Sequence, residues 1–421
     1  MKFLFGLLLC ALTALSTGCA TRPPSAATSQ SAPLLLVSID GYRHDYIDRG
    51  LSPTLEMLAD NGVQAASMQP AFPSLTFPNH YTIVTGLTPD HHGVVNNTMS
   101  DPQLGKFSLA SRKAVSDGRW WSEGMPIWET AERHGLHTGI MFWPGSEAEI
   151  HGYRPSYWKP FDGAMPAERR VDQVLAWLDL PAAERPRFLT LYFDAVDHAG
   201  HVHGPDSPQV DDALRETDAA MARLVQGLKQ RGLLDRINLI VLSDHGMTAV
   251  PEANSVMIDR LVPLDQVQTV GLGILAGFNP KSDSADDRAA FARVEETLQQ
   301  PHPHMQCWDK QHVPPRLAYG SNPRVPQLLC LANAHWRITT SDYAAKRKGR
   351  LSLGEHGFDN ANPDMQALFI AHGPAFETGM KAPAFPNVDV YPLMTHLLDL
   401  PPGHNDGNYD AVSNMLKPAS R

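Results

Sequence analysis

From residue 34 onward, short uninterrupted apolar runs alternate with stretches in which apolar residues recur every three or four positions. Leu34-Leu35-Leu36-Val37-Ser38-Ile39 ends in Asp40-Gly41 and has the pattern of a strand buried on both faces. The same pattern returns at Thr138 to Trp143, at Phe188 to Asp194 and at Asn238 to Asp244. Between these runs, Pro53 to Ala59 predicts a helix with Pro53 at its first position and Ser52 as its cap. Ile127 to His134 predicts another, and Val210 to Lys229 a long amphipathic one. This alternation predicts an α/β fold: a mostly parallel central sheet flanked by helices on both faces, with loop-rich insertions. No internal repeat and no linker interrupts the chain after residue 33, so residues 34–421 read as one domain, most irregular between about 250 and 350. In such sheets functional groups gather beyond the carboxyl ends of the strands, where Asp40, Asp244 and the segment from Asp194 to His201 all fall.

The first 33 residues have a different character. Lys2, an apolar run from Phe3 to Leu15 and then Ser16-Thr17-Gly18-Cys19 have the layout of a secretory signal over residues 1–19. The apolar run is too short to span a bilayer. Thr17-Gly18-Cys19 resembles the lipobox of bacterial lipoproteins, with Ser16 where that motif usually has Leu; ordinary cleavage nearby is the alternative. Residues 20–33, rich in Ser, Ala, Thr and Pro, read as a flexible tether. The expectation is a periplasmic protein of the cell envelope, anchored to the outer membrane through an acylated Cys19. Cys307 and Cys330 would then be the remaining cysteines, in a compartment that permits a disulfide but does not require one. A formal net charge of −10 and a pI near 6.0 argue against a general nucleic-acid binder. With 43% hydrophobic and 19% charged residues the composition is that of a globular enzyme.

Carboxylates and imidazoles cluster at the predicted strand ends. Asp40 ends the first strand, Asp244-His245-Gly246 ends another, Asp197 and His201 stand four apart in a predicted loop, and Glu355-His356-Gly357 lies in a polar turn. Any one of these Asp residues more often caps a helix, and a lone His among 19 is more often a surface or core residue. Three Asp and three His together suit a two-metal site, with zinc matching the donor set. A nucleophile is available in Ser74-Leu75-Thr76-Phe77-Pro78-Asn79-His80. There Thr76 precedes a predicted helix whose amino end favours an anion, although a plain capping role explains a threonine there equally well.

The run Thr76-Phe77-Pro78-Asn79-His80-Tyr81, continuing through Val84-Thr85-Gly86-Leu87 to His92-Gly93-Val94, closely resembles the nucleotide pyrophosphatase/phosphodiesterase family of the alkaline phosphatase superfamily. Further motifs follow in the family's order: Phe142-Trp143-Pro144-Gly145-Ser146, Gly200-His201, Asp244-His245-Gly246-Met247, Gly354-Glu355-His356-Gly357-Phe358-Asp359-Asn360 and His372-Gly373-Pro374-Ala375-Phe376. The resemblance implies an alkaline phosphatase-like fold in a bacterial single-domain member, since length and cysteine count leave no room for the extra disulfide-rich and nuclease-like domains of some animal relatives. It implies two Zn²⁺ ions, one held by Asp40, Thr76, Asp244 and His245 and the other by Asp197, His201 and His356. Thr76 would be the nucleophile, forming a phosphothreonine intermediate, and Asn97 would hydrogen-bond a phosphate oxygen. Phe77 and Tyr192 match positions that sandwich a nucleobase. The implied reaction is hydrolysis of nucleotide phosphodiesters and pyrophosphates to nucleoside monophosphates. The implied partners are small nucleotides rather than nucleic-acid polymers, with membrane contact only through a lipid anchor. His80 stands where a sulfatase-type motif has Arg, which weighs against that chemistry. A choline-type or lysophospholipid phosphodiesterase on the same metal site remains the alternative, because an aromatic pair also suits a quaternary ammonium. An envelope scaffold protein with a decayed site is a further one.

Overall fold

Strand β1 (Leu34–Ile39) is buried at all six positions, as an apolar strand in the middle of a two-faced sheet must be. The structure, a computed structural model, describes residues 31–421; the predicted signal segment, Cys19 and residues 20–30 of the predicted tether lie outside the described residues. The other strands of the central sheet and of a smaller one are, in chain order, β2 (Val63–Ala65), β3 (Thr138–Met141), β4 (Tyr157–Lys159), β5 (Phe188–Phe193), β6 (Asn238–Leu242), β7 (Val267–Gly271), β8 (Leu275–Pro280), β9 (Met305–Asp309), β10 (Leu328–Ala332), β11 (Phe369–His372) and β12 (Met380–Ala382). The eight-stranded central sheet has the order β12-β2-β11-β6-β1-β5-β3-β4. Within it β11 runs antiparallel to both of its neighbours, while every other pairing is parallel. The mostly parallel sheet expected from the pattern is therefore observed.

Successive side chains of a strand point to opposite faces, and β1 divides its residues accordingly. Leu35, Val37 and Ile39 pack with helices α1 (Pro53–Asp60), α4 (Ala167–Leu178) and α6 (Pro208–Gln230). Leu34 and Leu36 face the other core, which takes in α2 (Thr76–Thr85), α3 (Ile127–Arg133) and α8 (Val390–Leu397). Each fully buried Leu, Val or Ile of this kind contributes about 1.5–3 kcal/mol relative to exposure.

Three local expectations are revised. Ser52 does not cap α1; the Asp218 carboxylate on α6 accepts the Thr54 and Leu55 N–H groups instead, at 3.0 and 3.1 Å. Ser52 is spent on the Tyr42 hydroxyl, which donates to it at 3.0 Å. The stretch between 250 and 350 is more regular than its sequence suggests: β7, β8, β10 and β9 form an antiparallel sheet covered by helix α7 (Ala285–Leu298). Cys307 and Cys330 sit opposite each other on β9 and β10 and are disulfide-bonded. The segment with Asp197 and His201 is also no loop but helix α5 (Ala195–His203). Residues Ala32–Arg421 form one compact unit.

Candidate metal centre

Because β1 and β6 are adjacent and parallel, Asp40 and Asp244 emerge side by side at the same sheet edge. The Gly41 N–H reaches the Asp244 carboxylate at 3.3 Å. His245 follows directly and puts Nε2 2.9 Å from Asp244 Oδ2 and 3.5 Å from Asp40 Oδ1. All three are buried. Thr76 is the first residue of α2, and its Oγ1 lies 3.2 Å from His245 Nε2.

The second group comes from α5 and from beyond the small sheet. Asp197 and His201 are one helical turn apart, with Asp197 Oδ2 3.5 Å from His201 Nε2. His356 follows the two-residue strand Gly354–Glu355, which pairs with Thr248–Ala249 just after the Asp244-His245 turn. Its Nε2 is 3.2 Å from His201 Nε2 and 3.6 Å from Asp197 Oδ1. The His245 and His356 rings stack with centroids 3.6 Å apart, so the two groups adjoin. Gly41 makes this possible. Its φ of +69° is left-handed, and a Cβ there would stand 2.9 Å from the Asp197 Cα.

The donor set fits metal. Each imidazole turns Nδ1 toward a main-chain carbonyl: His201 to Gly354 at 2.8 Å, His245 to Gly246 at 2.9 Å and His356 to Ser74 at 2.9 Å. Donation from Nδ1–H leaves every Nε2 as a lone pair aimed at the carboxylates, the tautomer a metal ligand needs. Asp40 Oδ1, Asp197 Oδ1 and Asp244 Oδ2 are buried with no hydrogen-bond partner, which is costly for a carboxylate unless a cation is supplied. Asp40-Asp244-His245 and Asp197-His201-His356 each bring one ligand atom per residue within 4.8 Å of the others.

The electrostatics agree. Burial, reinforced by Asp244 and Asp197, pushes the Asp40 carboxyl well above its usual range. Burial acts upward on Asp244 as well, but His245 and His80 outweigh it and hold that carboxyl well below. Burial, with His245 and His201 beside it, drives His356 well below an ordinary imidazole, so it stays neutral and ligand-ready.

A cavity of about 530 Å³ opens over both groups, walled by Phe77, Asn97, Phe142, Trp143, Phe161 and Tyr192. Asn97 Oδ1 accepts the Phe77 N–H at 2.9 Å, which turns its NH₂ away from α2. Tyr192 lines the cavity too, and its hydroxyl donates to Asp40 Oδ2 at 2.6 Å. Sequence reasoning missed that anchoring contact. It also missed His80, buried beneath Asp244 at 3.2 Å and four residues after Thr76 on α2, where helical spacing was the available signal. Phe142 and Phe161 were missed as walls: Phe142 heads a family motif that was read without a role for it, and nothing in the local pattern of Phe161 sets that residue apart. Outside the two groups, His91 pairs with Asp406, and the His302 and His304 rings lie 5.8 Å apart.

Residues 34–359 match the family model described as type I phosphodiesterase/nucleotide pyrophosphatase. An uncharacterised pyrophosphatase/phosphodiesterase of Schizosaccharomyces pombe is 37% identical over 385 residues, covering 90% of this chain and 79% of the relative. Human ectonucleotide pyrophosphatase/phosphodiesterase family member 1 is 37% identical over 403 residues; 94% of this chain is covered but only 43% of the human protein. Venom phosphodiesterases of Crotalus are likewise spanned over less than half their length. Among solved structures, human ectonucleotide pyrophosphatase/phosphodiesterase 5 superposes with a TM-score of 0.86 at 33% identity, covering 91% of this chain and all of that one. With a family match across most of its length and relatives above 30% identity, this chain belongs to the type I phosphodiesterase/nucleotide pyrophosphatase family, and it is a hydrolase.

Proposed function

We propose that the protein is a two-zinc enzyme that hydrolyses nucleotide phosphodiesters and pyrophosphates, releasing nucleoside monophosphates through a covalent phosphothreonine. The observation behind this reading is the placement of Thr76 Oγ1 3.2 Å from His245 Nε2, at the floor of an aromatic cavity and beside two adjoining carboxylate–imidazole groups. Asp40, Asp244 and His245, with Thr76, would hold one ion, and Asp197, His201 and His356 the other. Bound zinc supplies the positive charge that lowers the threonine hydroxyl pKa and stabilises oxygens on phosphorus.

The residues divide the remaining work. Thr76 Oγ attacks phosphorus, an O–P bond forms, and the bond to the leaving oxygen breaks with its electron pair. The threonine proton passes to solvent or to that oxygen. Water then cleaves the phosphothreonine and restores Thr76. Asn97, oriented by the Phe77 N–H, donates its NH₂ to a non-bridging oxygen as charge builds there. A diester bears one negative charge at phosphorus, so a neutral amide suits it. Phe77 supplies an apolar face for a base, and Tyr192 combines a cavity wall with the anchoring of Asp40. A murine relative, ectonucleotide pyrophosphatase/phosphodiesterase 5, has been solved in complex with AMP, which favours a nucleotide here.

The test compares cleavage of the nitrophenyl ester of thymidine monophosphate, nitrophenyl phosphorylcholine and nitrophenyl phosphate, before and after chelation and zinc return. Preference for the nucleotide ester, lost on chelation and restored by zinc, supports the reading. Preference for the choline ester moves the substrate to choline-type lipids, and metal-independent cleavage or none overturns it. We further propose that the protein is exported and held at the outer membrane through Cys19. Radiolabelled palmitate incorporated by the full chain but not by Cys19→Ser is the expected outcome.

A further inference from the structure

We propose that Arg170 is a positioning residue for substrate recognition: from behind the cavity it fixes the aromatic wall formed by Phe142, Phe161 and Tyr192, and so sets how tightly a nucleoside is held. This deepens the proposed function and rests on it. Arg170 is the one charged residue among the buried positions of α4, whose others are Val171, Val174, Leu175, Trp177 and Leu178. Its side chain is only 4% exposed. Helix packing alone would be served by an apolar residue there. Taking a guanidinium out of water is costly unless its donors find partners.

Those partners are the walls of the cavity. Nε donates to the Met165 carbonyl at 2.9 Å, and Nη2 to the Gly163 carbonyl at 3.5 Å. Nη1 donates to the Tyr192 carbonyl at 3.0 Å and to Asp194 Oδ1 at 2.8 Å. The guanidinium carbon also lies 5.1 Å from the centroid of the Phe142 ring, a cation–π distance. These contacts fall on separate stretches of chain, and each stretch carries one aromatic wall: Phe142 just after β3, Phe161 just ahead of residues 163–165, and Tyr192 in β5. The rings meet one another as well. Phe161 lies edge-on to Phe142 with centroids 5.2 Å apart, and edge-on to Tyr192 at 6.0 Å.

Two of these walls need such support. Phe142 has a φ of +61°, a left-handed backbone that a bulky residue keeps only where its surroundings fix it. Phe161 is 44% exposed, so little packing holds it in place. Its own N–H donates to Glu147 Oε1 at 2.8 Å, which ties the near side of the loop, while Arg170 ties the chain that follows. Arg170 does not itself wall the 530 Å³ cavity; it walls a neighbouring one of about 320 Å³ that shares Asp194 and His198 with it. Its influence on a bound nucleoside therefore passes through the rings. A planar guanidinium fork can serve several carbonyls at once, which the single ammonium of a lysine cannot match.

The experiment uses the full chain, Arg170→Lys, Phe161→Ala and the double variant. Arg170→Lys keeps a cation opposite Asp194, and Phe161→Ala changes an exposed position. The substrates are the nitrophenyl ester of thymidine monophosphate and methyl nitrophenyl phosphate, which offers the same diester without a nucleoside. In Arg170→Lys, KM for the nucleotide ester is expected to rise about ten-fold with kcat within about two-fold, and kcat/KM for the methyl ester to stay within about two-fold. Phe161→Ala should show the same split, and the double variant less than the product of the two effects, because Arg170 acts partly through that ring. Equal losses on both substrates, or multiplicative effects in the double variant, overturn the inference. So does an unchanged nucleotide KM in Phe161→Ala, whether or not Arg170→Lys folds. Wild-type protein that cleaves both esters equally well, or neither, overturns instead the function on which the inference rests.

Discussion

Asn97 and Phe77 are tied by a single hydrogen bond, the Phe77 N–H donating to Asn97 Oδ1 at 2.9 Å. It fixes the only orientation in which the amide can also donate toward a substrate, because the oxygen is already used. It does so from the residue next to Thr76, so Thr76 and the amide share one rigid helix start.

Asn97→Ala is expected to lower kcat by roughly 10²–10³-fold with little change in KM. Steady-state kinetics on the nitrophenyl ester of thymidine monophosphate measure this. An equal rise in KM with kcat intact would make Asn97 a binding residue rather than a group acting on developing charge.

Thr76→Ala is expected to lose nearly all turnover while keeping the fold, since α2 begins without a side-chain cap and loses none. Circular dichroism and rapid-quench labelling with a radioactive phosphate ester check the two halves. Wild-type chain carrying label on Thr76, with none on the variant, is the expected pattern. Unchanged turnover in the variant would place the nucleophile elsewhere.

Tyr192→Phe removes the hydroxyl that donates to Asp40 but keeps the ring in the cavity wall. Zinc affinity should fall about 10–100-fold, as for other groups that orient a ligand. Titration against a competing chelator reads this directly. If affinity is unchanged and only KM for nucleotides rises, the tyrosine serves the substrate alone.

His92, packed against the helix that carries Thr76, predicts a pH-dependent stability effect. Burial depresses its imidazole from 6.5 to about 3, with His91 adding to the depression and Asp406 opposing it. The neutral ring accepts the Val94 N–H on Nδ1 and places Nε2 3.0 Å from the Thr82 hydroxyl and 3.2 Å from the Pro78 carbonyl. The folded state therefore binds this proton less readily than the unfolded chain. The contribution is complete above about pH 6.5 and is lost as pH falls toward 3, by up to about 1.4 kcal/mol per pH unit. Urea unfolding of chelated protein between pH 7.5 and 5 should show a steeper decline for wild type than for His92→Gln. Parallel declines would remove His92 from the account.

Much of the site was legible because its chemistry sits at strand ends, where a buried apolar run must stop. Asp40 and Asp244 are flagged by β1 and β6 themselves. The long helix α6 was equally plain in its amphipathic period. Asp197 and His201 were found as a pair but misread as a loop, because one Gly and three His among nine residues hide a helix held by packing rather than propensity. The cap on α1 was unreadable for a different reason: Asp218 is remote in sequence, and no local pattern reports it. The antiparallel sheet of β7 to β10 escaped notice because its Pro- and Gly-rich connections dominate the composition there.

The antiparallel strand β11 has a consequence for where this molecule can be cut. The family match ends at residue 359, yet β11, at Phe369–His372, joins β6 to β2, and β12 extends the sheet beyond β2. A fragment stopped at 359 would retain every metal-group residue but leave the edge of β6 bare and β2 without its partner. Such an open, apolar edge invites pairing between copies. The recognisable motif is thus shorter than the cooperative folding unit, and a soluble fragment has to run past β12.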